Sequence, residues 1–311
     1  MDRRLDTVRI LAPAVGLALL VLMLLGGFVT ASASGLGCGT EWPLCMHGLV
    51  PPAADFHAWV EWAHRLAASL VTIGVVALAV VLRRRGASEE CTSIRMMRRL
   101  SLVAVGLILV EVLLGMATVL LGVPAWVVAL HMADAIAVLD VTAALAYVAW
   151  RPEGATAGAD GPAGSVLWWA AGFAALTAVL GSYVTHSGAG AACLQGPSCI
   201  GRVGGPGGSQ VLVFGLHVTA ALTLGLAAIA ARGGARRRAP RLYAAAASAL
   251  GTQAALGIAL IWSRLSAALL VAHEGVGIAT AVLWWLTAWA VQGHDQAGSF
   301  VDEKRLVAKG G

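Results

Sequence analysis

The sequence predicts an all-α integral membrane protein of eight transmembrane helices, built as two pseudo-symmetric four-helix bundles. Three observations predict it. Of 311 residues, 59% are hydrophobic and only 12% charged, and the apolar runs are long enough to cross a hydrocarbon layer of about 30 Å. Backbone amides in lipid must be satisfied within their own segment, so such runs are helices. The arginines fall in alternate connecting segments, and the first half of the chain recurs in the second.

Taken in order, the spans cover roughly 12–31, 58–82, 100–122, 125–150, 166–183, 209–231, 242–262 and 267–291. The first follows Arg3, Arg4 and Arg9 and ends at Ala31-Ser32-Ala33, which also fits a signal peptide with its cleavage site. Its apolar run is longer than a usual signal core and has an uncleaved counterpart in the repeat, so the segment is expected to be retained. Arg83, Arg84, Arg85, Arg95, Arg98 and Arg99 separate spans two and three. Arg232, Arg236, Arg237, Arg238 and Arg241 separate six and seven, and Lys304, Arg305 and Lys309 follow the eighth. The remaining loops carry little beyond Arg202 and Arg264. Basic loops stay inside, which places both termini in the cytoplasm and the chain in the cell membrane. The net charge of +5 therefore reports topology, and a nucleic-acid partner is excluded.

A tandem duplication organises the chain. Val29-Thr30-Ala31-Ser32-Ala33-Ser34-Gly35-Leu36-Gly37-Cys38 aligns with Val184-Thr185-His186-Ser187-Gly188-Ala189-Gly190-Ala191-Ala192-Cys193. Leu114-Gly115 aligns with Leu256-Gly257, and Ile136-Ala137 with Ile278-Ala279. Each unit has an even number of spans, so the halves share one orientation about an axis along the membrane normal. The divisions are 1–150 for the first half, 151–165 for a Gly/Ala/Pro-rich cytoplasmic linker, 166–292 for the second half and 293–311 for a cytoplasmic tail.

One histidine lies in each even-numbered span: His64, His131, His217 and His273. Each is about 8–12 Å below the outer boundary at 1.5 Å of rise per residue. An imidazole in hydrocarbon needs a partner and marks a functional site by default. Two parallel helices with histidines at one depth suit a porphyrin ligated from both sides, so the four form two pairs of axial heme-iron ligands, one pair per half. The bland alternative has each imidazole bonded to a neighbouring helix, and the duplication argues against it. His47, His57, His186 and His294 lack that duplicated setting.

The first outer loop holds Cys38 and Cys45, and the third holds Cys193 and Cys199. Both face the oxidising side, where disulfides persist, so Cys38–Cys45 and Cys193–Cys199 bridges are expected. They serve as staples for lids above the heme pockets, or the first pair is redox-active. Cys91, among the inner arginines, is expected to stay reduced.

The halves differ where chemistry is expected. Glu61-Trp62-Ala63-His64-Arg65 corresponds to Phe214-Gly215-Leu216-His217-Val218. Glu61 precedes His64 by three residues and shares its helix face, where a carboxylate serves proton transfer or stabilises positive charge. Arg65 is a candidate for a heme propionate, since guanidinium pairs with carboxylate. Asp134, one turn after His131, is a second-tier candidate, as are Glu111, which faces Gln253 across the repeat, and Glu274. Asp140 lies on the opposite face of its span.

Gly35-Leu36-Gly37-Cys38-Gly39-Thr40-Glu41-Trp42-Pro43-Leu44-Cys45, followed by Glu61-Trp62-Ala63-His64-Arg65, resembles the signature of the heme A synthase (CtaA) family. The similarity covers essentially the whole chain, although Cys193-Leu194-Gln195-Gly196-Pro197-Ser198-Cys199 lacks the Trp-Pro-Leu-Cys ending of the first loop. The resemblance implies an oxidoreductase that converts the C8 methyl group of heme O to a formyl group, giving heme A for cytochrome oxidase assembly. It implies a heme b cofactor on His217 and His273, substrate heme O near His64 and His131, and an essential carboxylate at Glu61. The partners it implies are heme O, membrane lipid, a membrane electron acceptor and the heme O synthase that acts before it; self-association is compatible with all of these. A non-enzymatic di-heme electron carrier is the alternative. Such carriers usually place two histidines on one helix to stack hemes across the membrane, whereas each helix here has one. A thiol–disulfide oxidoreductase leaves the histidines unexplained and lacks the usual close Cys-x-x-Cys pair.

Overall fold

The computed structural model describes residues 3–83, 92–150, 162–191, 194 and 208–307. Within them run eight long helices: α1 (Arg3–Ala31), α2 (Phe56–Arg83), α3 (Thr92–Leu120), α4 (Ala125–Ala149), α5 (Pro162–His186), α6 (Gly208–Arg238), α7 (Pro240–Trp262) and α8 (Ala267–Val307). All eight are long and apolar enough to cross a membrane. The Cys193–Cys199 pairing, Cys91, Arg84, Arg85 and most of the linker fall outside the described residues.

Several basic stretches that read as connecting loops are helical. α1 already includes Arg4 and Arg9, α3 includes Arg95, Arg98 and Arg99, and α6 runs through Arg236, Arg237 and Arg238. Only Ala239 separates α6 from α7. Arginine is a good helix former, and its long stem lets the guanidinium reach polar surroundings from a helix end, so the helices outlast their apolar cores. Proline then sets several starts: Pro162 opens α5, Pro240 opens α7, and Pro124 precedes α4.

The turn between α3 and α4 sets the depth of His131. Gly122 takes φ of 75°, a conformation favoured by glycine at a helix end. The Val123 N–H then reaches back to the Thr118 carbonyl at 2.7 Å, closing the last turn of α3.

α1, α4, α5 and α8 pack on one another and form the centre, where the two halves meet. α2 and α3 flank this centre on one side, and α6 and α7 on the other. Small residues are buried on two of these helices: Ala170, Ala171 and Ala174 of α5 and Ala281 and Ala288 of α8. Apolar association gains little in lipid, so close contact between small side chains helps hold such helices together. Trp284 has no exposed surface and meets Tyr243 of α7, with ring centroids 5.8 Å apart. The outer faces of α2, α3, α6 and α7 present leucine, isoleucine and valine to the surroundings.

Among the described residues, α2 packs against α1 and α3 rather than on α4, its partner in carrying a histidine. The two histidine-bearing helices of the first half are thus not close neighbours.

Candidate functional site

Each histidine meets a glycine of the preceding helix. A methyl group built on Gly26 would stand 3.3 Å from His64 Cε1, and one on Gly115 3.3 Å from His131 Cε1. In the second half the corresponding distances are 3.1 Å for Gly181 to His217 and 3.1 Å for Gly257 to His273. The pairs obey the duplication, since Gly26 and Gly181 align through the Val29–Val184 register. Four imidazoles thus lie edge-on against bare backbone, seated where any other residue would push them away. The sequence marked Gly115 and Gly257 as matched positions, while Gly26 and Gly181 were legible only by extending that alignment upstream.

The second half shows its pairing directly. The rings of His217 and His273 are 6.5 Å apart between centroids, with planes at 73°. His217 Nδ1–H donates to the Thr177 carbonyl at 3.0 Å, which fixes the tautomer and leaves Nε2 with its lone pair free. A ring nitrogen of His273 lies 3.2 Å from the Gln253 amide nitrogen, and its Nδ1 is buried without a hydrogen-bond partner.

In the first half, His64 and His131 are near enough to sense each other's charge. His64 Nδ1 is buried without a partner. His131 Nδ1 lies 3.1 Å from Glu111 Oε1, in ion-pair contact rather than an aligned hydrogen bond. Asp134 interacts with both Glu111 and His131. Among the described side chains, the three histidines outside this set find ordinary partners. His47 Nδ1 meets Glu41 at 2.7 Å, His57 Nδ1 meets Ser34 Oγ at 3.0 Å, and His186 bridges Ser182 and Thr30. His64 and His273 each keep a buried ring nitrogen without a partner, and His217 keeps Nε2 beyond its bond to Thr177, so the imidazoles have donor atoms to spare for a metal-bearing group.

Glu61 and Arg65 form a compact station above His64. Glu61 is 3% exposed, and its Oε2 accepts the Cys38 backbone N–H at 2.7 Å. Its Oε1 accepts from Arg65 Nη2. Arg65 Nη1 also donates to the carbonyls of Glu41 at 3.0 Å and Leu44 at 2.8 Å. Cys38 and Cys45 are disulfide-bonded and both 1% exposed, packing against Ala58 and Trp62. The outer loop is therefore clamped to α2 through the two charged side chains that distinguish this half. Arg65 uses both terminal nitrogens in this clamp, and its buried Nε–H is the donor left for another acceptor. Nothing in linear spacing signals that clamp, because the loop carbonyls involved carry no side-chain identity.

The asymmetry extends to four ionisable groups near the first-half histidines, while Glu274 beside His273 is the reverse case, with Met132 at the matching place. Glu61, Arg65, Glu111 and Asp134 in the first half stand where Phe214, Val218, Gln253 and Val276 stand in the second. Eight membrane-length helices that carry duplicated histidines beside a one-sided set of charges define a polytopic membrane protein. Residues 9–286 match the COX15-CtaA family, described as cytochrome oxidase assembly protein, and the chain belongs to that family. It is 30% identical over 268 residues to a heme A synthase of Bacillus licheniformis, covering 83% of this chain and 87% of that protein. It is 36% identical over 207 residues to a heme A synthase of Symbiobacterium thermophilum, covering 61% and 64% respectively.

Proposed function

We propose that this protein is a heme A synthase, oxidising the C8 methyl group of heme O to a formyl group for cytochrome oxidase assembly. The family membership supports the activity, and the observation that carries the division of labour is the one-sided placement of Glu61. His217 and His273 hold heme b, which supplies electron transfer when bound. His64 and His131 receive substrate heme O, which enters laterally with its farnesyl tail in lipid, and the Arg65 Nε–H is offered to a propionate. Asp134 sits beside Glu111 as a second acid in the same pocket.

Glu61 faces this pocket from the His64 side of α2. Its carboxylate is fixed by the Cys38 N–H and the Arg65 guanidinium, and each oxygen retains a lone pair for a further contact. A preorganised anion there stabilises positive charge developing at the methyl carbon, which water captures. The methyl carbon loses electron pairs and protons over successive hydroxylations, and loss of water from the final hydrate leaves the formyl group. The electrons leave through the second half to a membrane acceptor. The histidine sites lie in the outer leaflet with both termini cytoplasmic, in the cell membrane, where the preceding heme O synthase delivers substrate.

Glu61→Ala tests this reading. The variant is expected to make no heme A while retaining bound heme b, measured by extraction and chromatography of the purified protein. Heme A formed at the normal rate would remove Glu61 from the chemistry. A preparation holding heme b alone, with no trace of heme O or heme A even in the unaltered protein, would favour the electron-carrier alternative.

A further inference from the structure

The duplication offers a comparison inside one molecule. Glu111 and Gln253 occupy the same place in α3 and α7, each four residues before the glycine that seats a histidine. Each points at that histidine, though at a different ring nitrogen: Glu111 Oε1 lies 3.1 Å from His131 Nδ1, and the Gln253 amide nitrogen lies 3.2 Å from His273 Nε2. The two residues are nearly equal in size and differ in charge. We infer that Glu111 and Gln253 are positioning residues that set the two heme irons at different reduction potentials, with the substrate-side iron the lower. The inference rests on the proposed heme assignment and deepens it.

The physical basis is the partner of the ligand's second nitrogen. A carboxylate accepting from Nδ1–H fixes the tautomer, leaves Nε2 for the metal and makes the imidazole a stronger electron donor. A small rotation of the His131 ring brings its Nδ1–H into line with Glu111. Electron donation favours ferric over ferrous iron and lowers the potential. Gln253 is neutral; its Oε1 is buried without a partner, and turning the amide over offers that oxygen to the His273 Nε2–H, which leaves His273 Nδ1 as the nitrogen free for a metal. It orients the ring as Glu111 does without pushing charge into it. His217 in the same site has only a backbone carbonyl as its partner. Asp134 beside Glu111, with Val276 at the matching place, adds to the difference. The consequence is directional. Electrons released in the first half move downhill toward the second, away from the substrate.

The exchange of the two residues tests this, because each substitution keeps size and shape. The full chain is purified with its heme and titrated redox-optically, before and after addition of heme O. Gln253→Glu is expected to lower the midpoint potential of the heme held by the second half. Glu111→Gln is expected to raise that of the heme O added to the first half and to leave the second half unmoved. Unchanged potentials in both variants, with low-spin bis-imidazole spectra intact, would overturn the inference while leaving the function standing. If the unaltered chain itself shows no bis-imidazole spectrum, the heme assignment fails first. A shift in the opposite direction in either variant also overturns it.

Discussion

Each of the four histidines depends on the absence of a side chain in the helix beside it. Gly181 and Gly257 leave the tightest seats, where a methyl group would stand 3.1 Å from the imidazole carbon. An added methyl must displace the ring or the helix, an overpacking cost of roughly 1–3 kcal/mol. Gly181→Ala and Gly257→Ala are therefore expected to lower bound heme per protein, and Gly172→Ala, which meets nothing within 4 Å, is expected to leave it unchanged. Heme content by absorbance of the extracted pigment reads the difference. Equal loss in all three variants would trace the effect to helix packing at large. At this scale the sequence exposed the four histidines and hid their seats. A lone polar residue in an apolar run stands out by composition, whereas Gly26 looks like any small residue until its neighbour in space is known. Glu111 was visible only as a carboxylate in a span, because its contact with His131 joins two helices and leaves no mark in the spacing of either.

The spans themselves were legible because hydrocarbon forces each to be an uninterrupted apolar helix, and that requirement is local. Their ends were less so. Arg236, Arg237 and Arg238 read as a basic loop and are the last turn of α6, since charge does not end a helix that has emerged from lipid. The outer loop between α1 and α2 shows the same limit: its two cysteines announced a bridge, but its anchoring by Glu61 and Arg65 depends on tertiary contact. The bridge spans a sequence separation of 7, and closing so short a ring is worth roughly 2–3 kcal/mol on the chain-entropy account. With Arg65 still bonded to the Glu41 and Leu44 carbonyls, its loss should loosen the loop without detaching it. Replacing both Cys38 and Cys45 by Ala is expected to speed proteolysis of the loop and to lower, not abolish, heme A formation. Complete loss of product with heme b content and proteolysis rate unchanged would instead make the pair a participant in electron transfer.

At the level of the molecule, two copies of one bundle have been joined through α1, α4, α5 and α8 and then allowed to diverge. The seam holds because side chains from one half occupy notches in the other. Glu274 of α8 lies against Gly27 of α1, beside the glycine that seats His64, and Leu24 of α1 fills the space over Gly275 of α8. Thr30 of α1 meets His186 of α5 at 3.3 Å. Close packing of this kind supplies most of the association free energy between helices in lipid. The seam also places His273 and the seat of His64 on two helices in direct contact, so the halves cannot slide apart without disturbing the surroundings of both histidines. The linker is not needed for that contact. A chain divided within residues 151–161 and expressed as two pieces is thus expected to reassemble, with a tag on one half recovering the other from detergent extracts. Gly275→Leu puts a branched side chain where Leu24 sits and is expected to abolish that recovery, while Gly251→Leu, at a position where nothing lies within 4 Å, preserves it. Halves that never copurify, or that copurify equally with Gly275→Leu, would show that the linker rather than the seam keeps the two sites together.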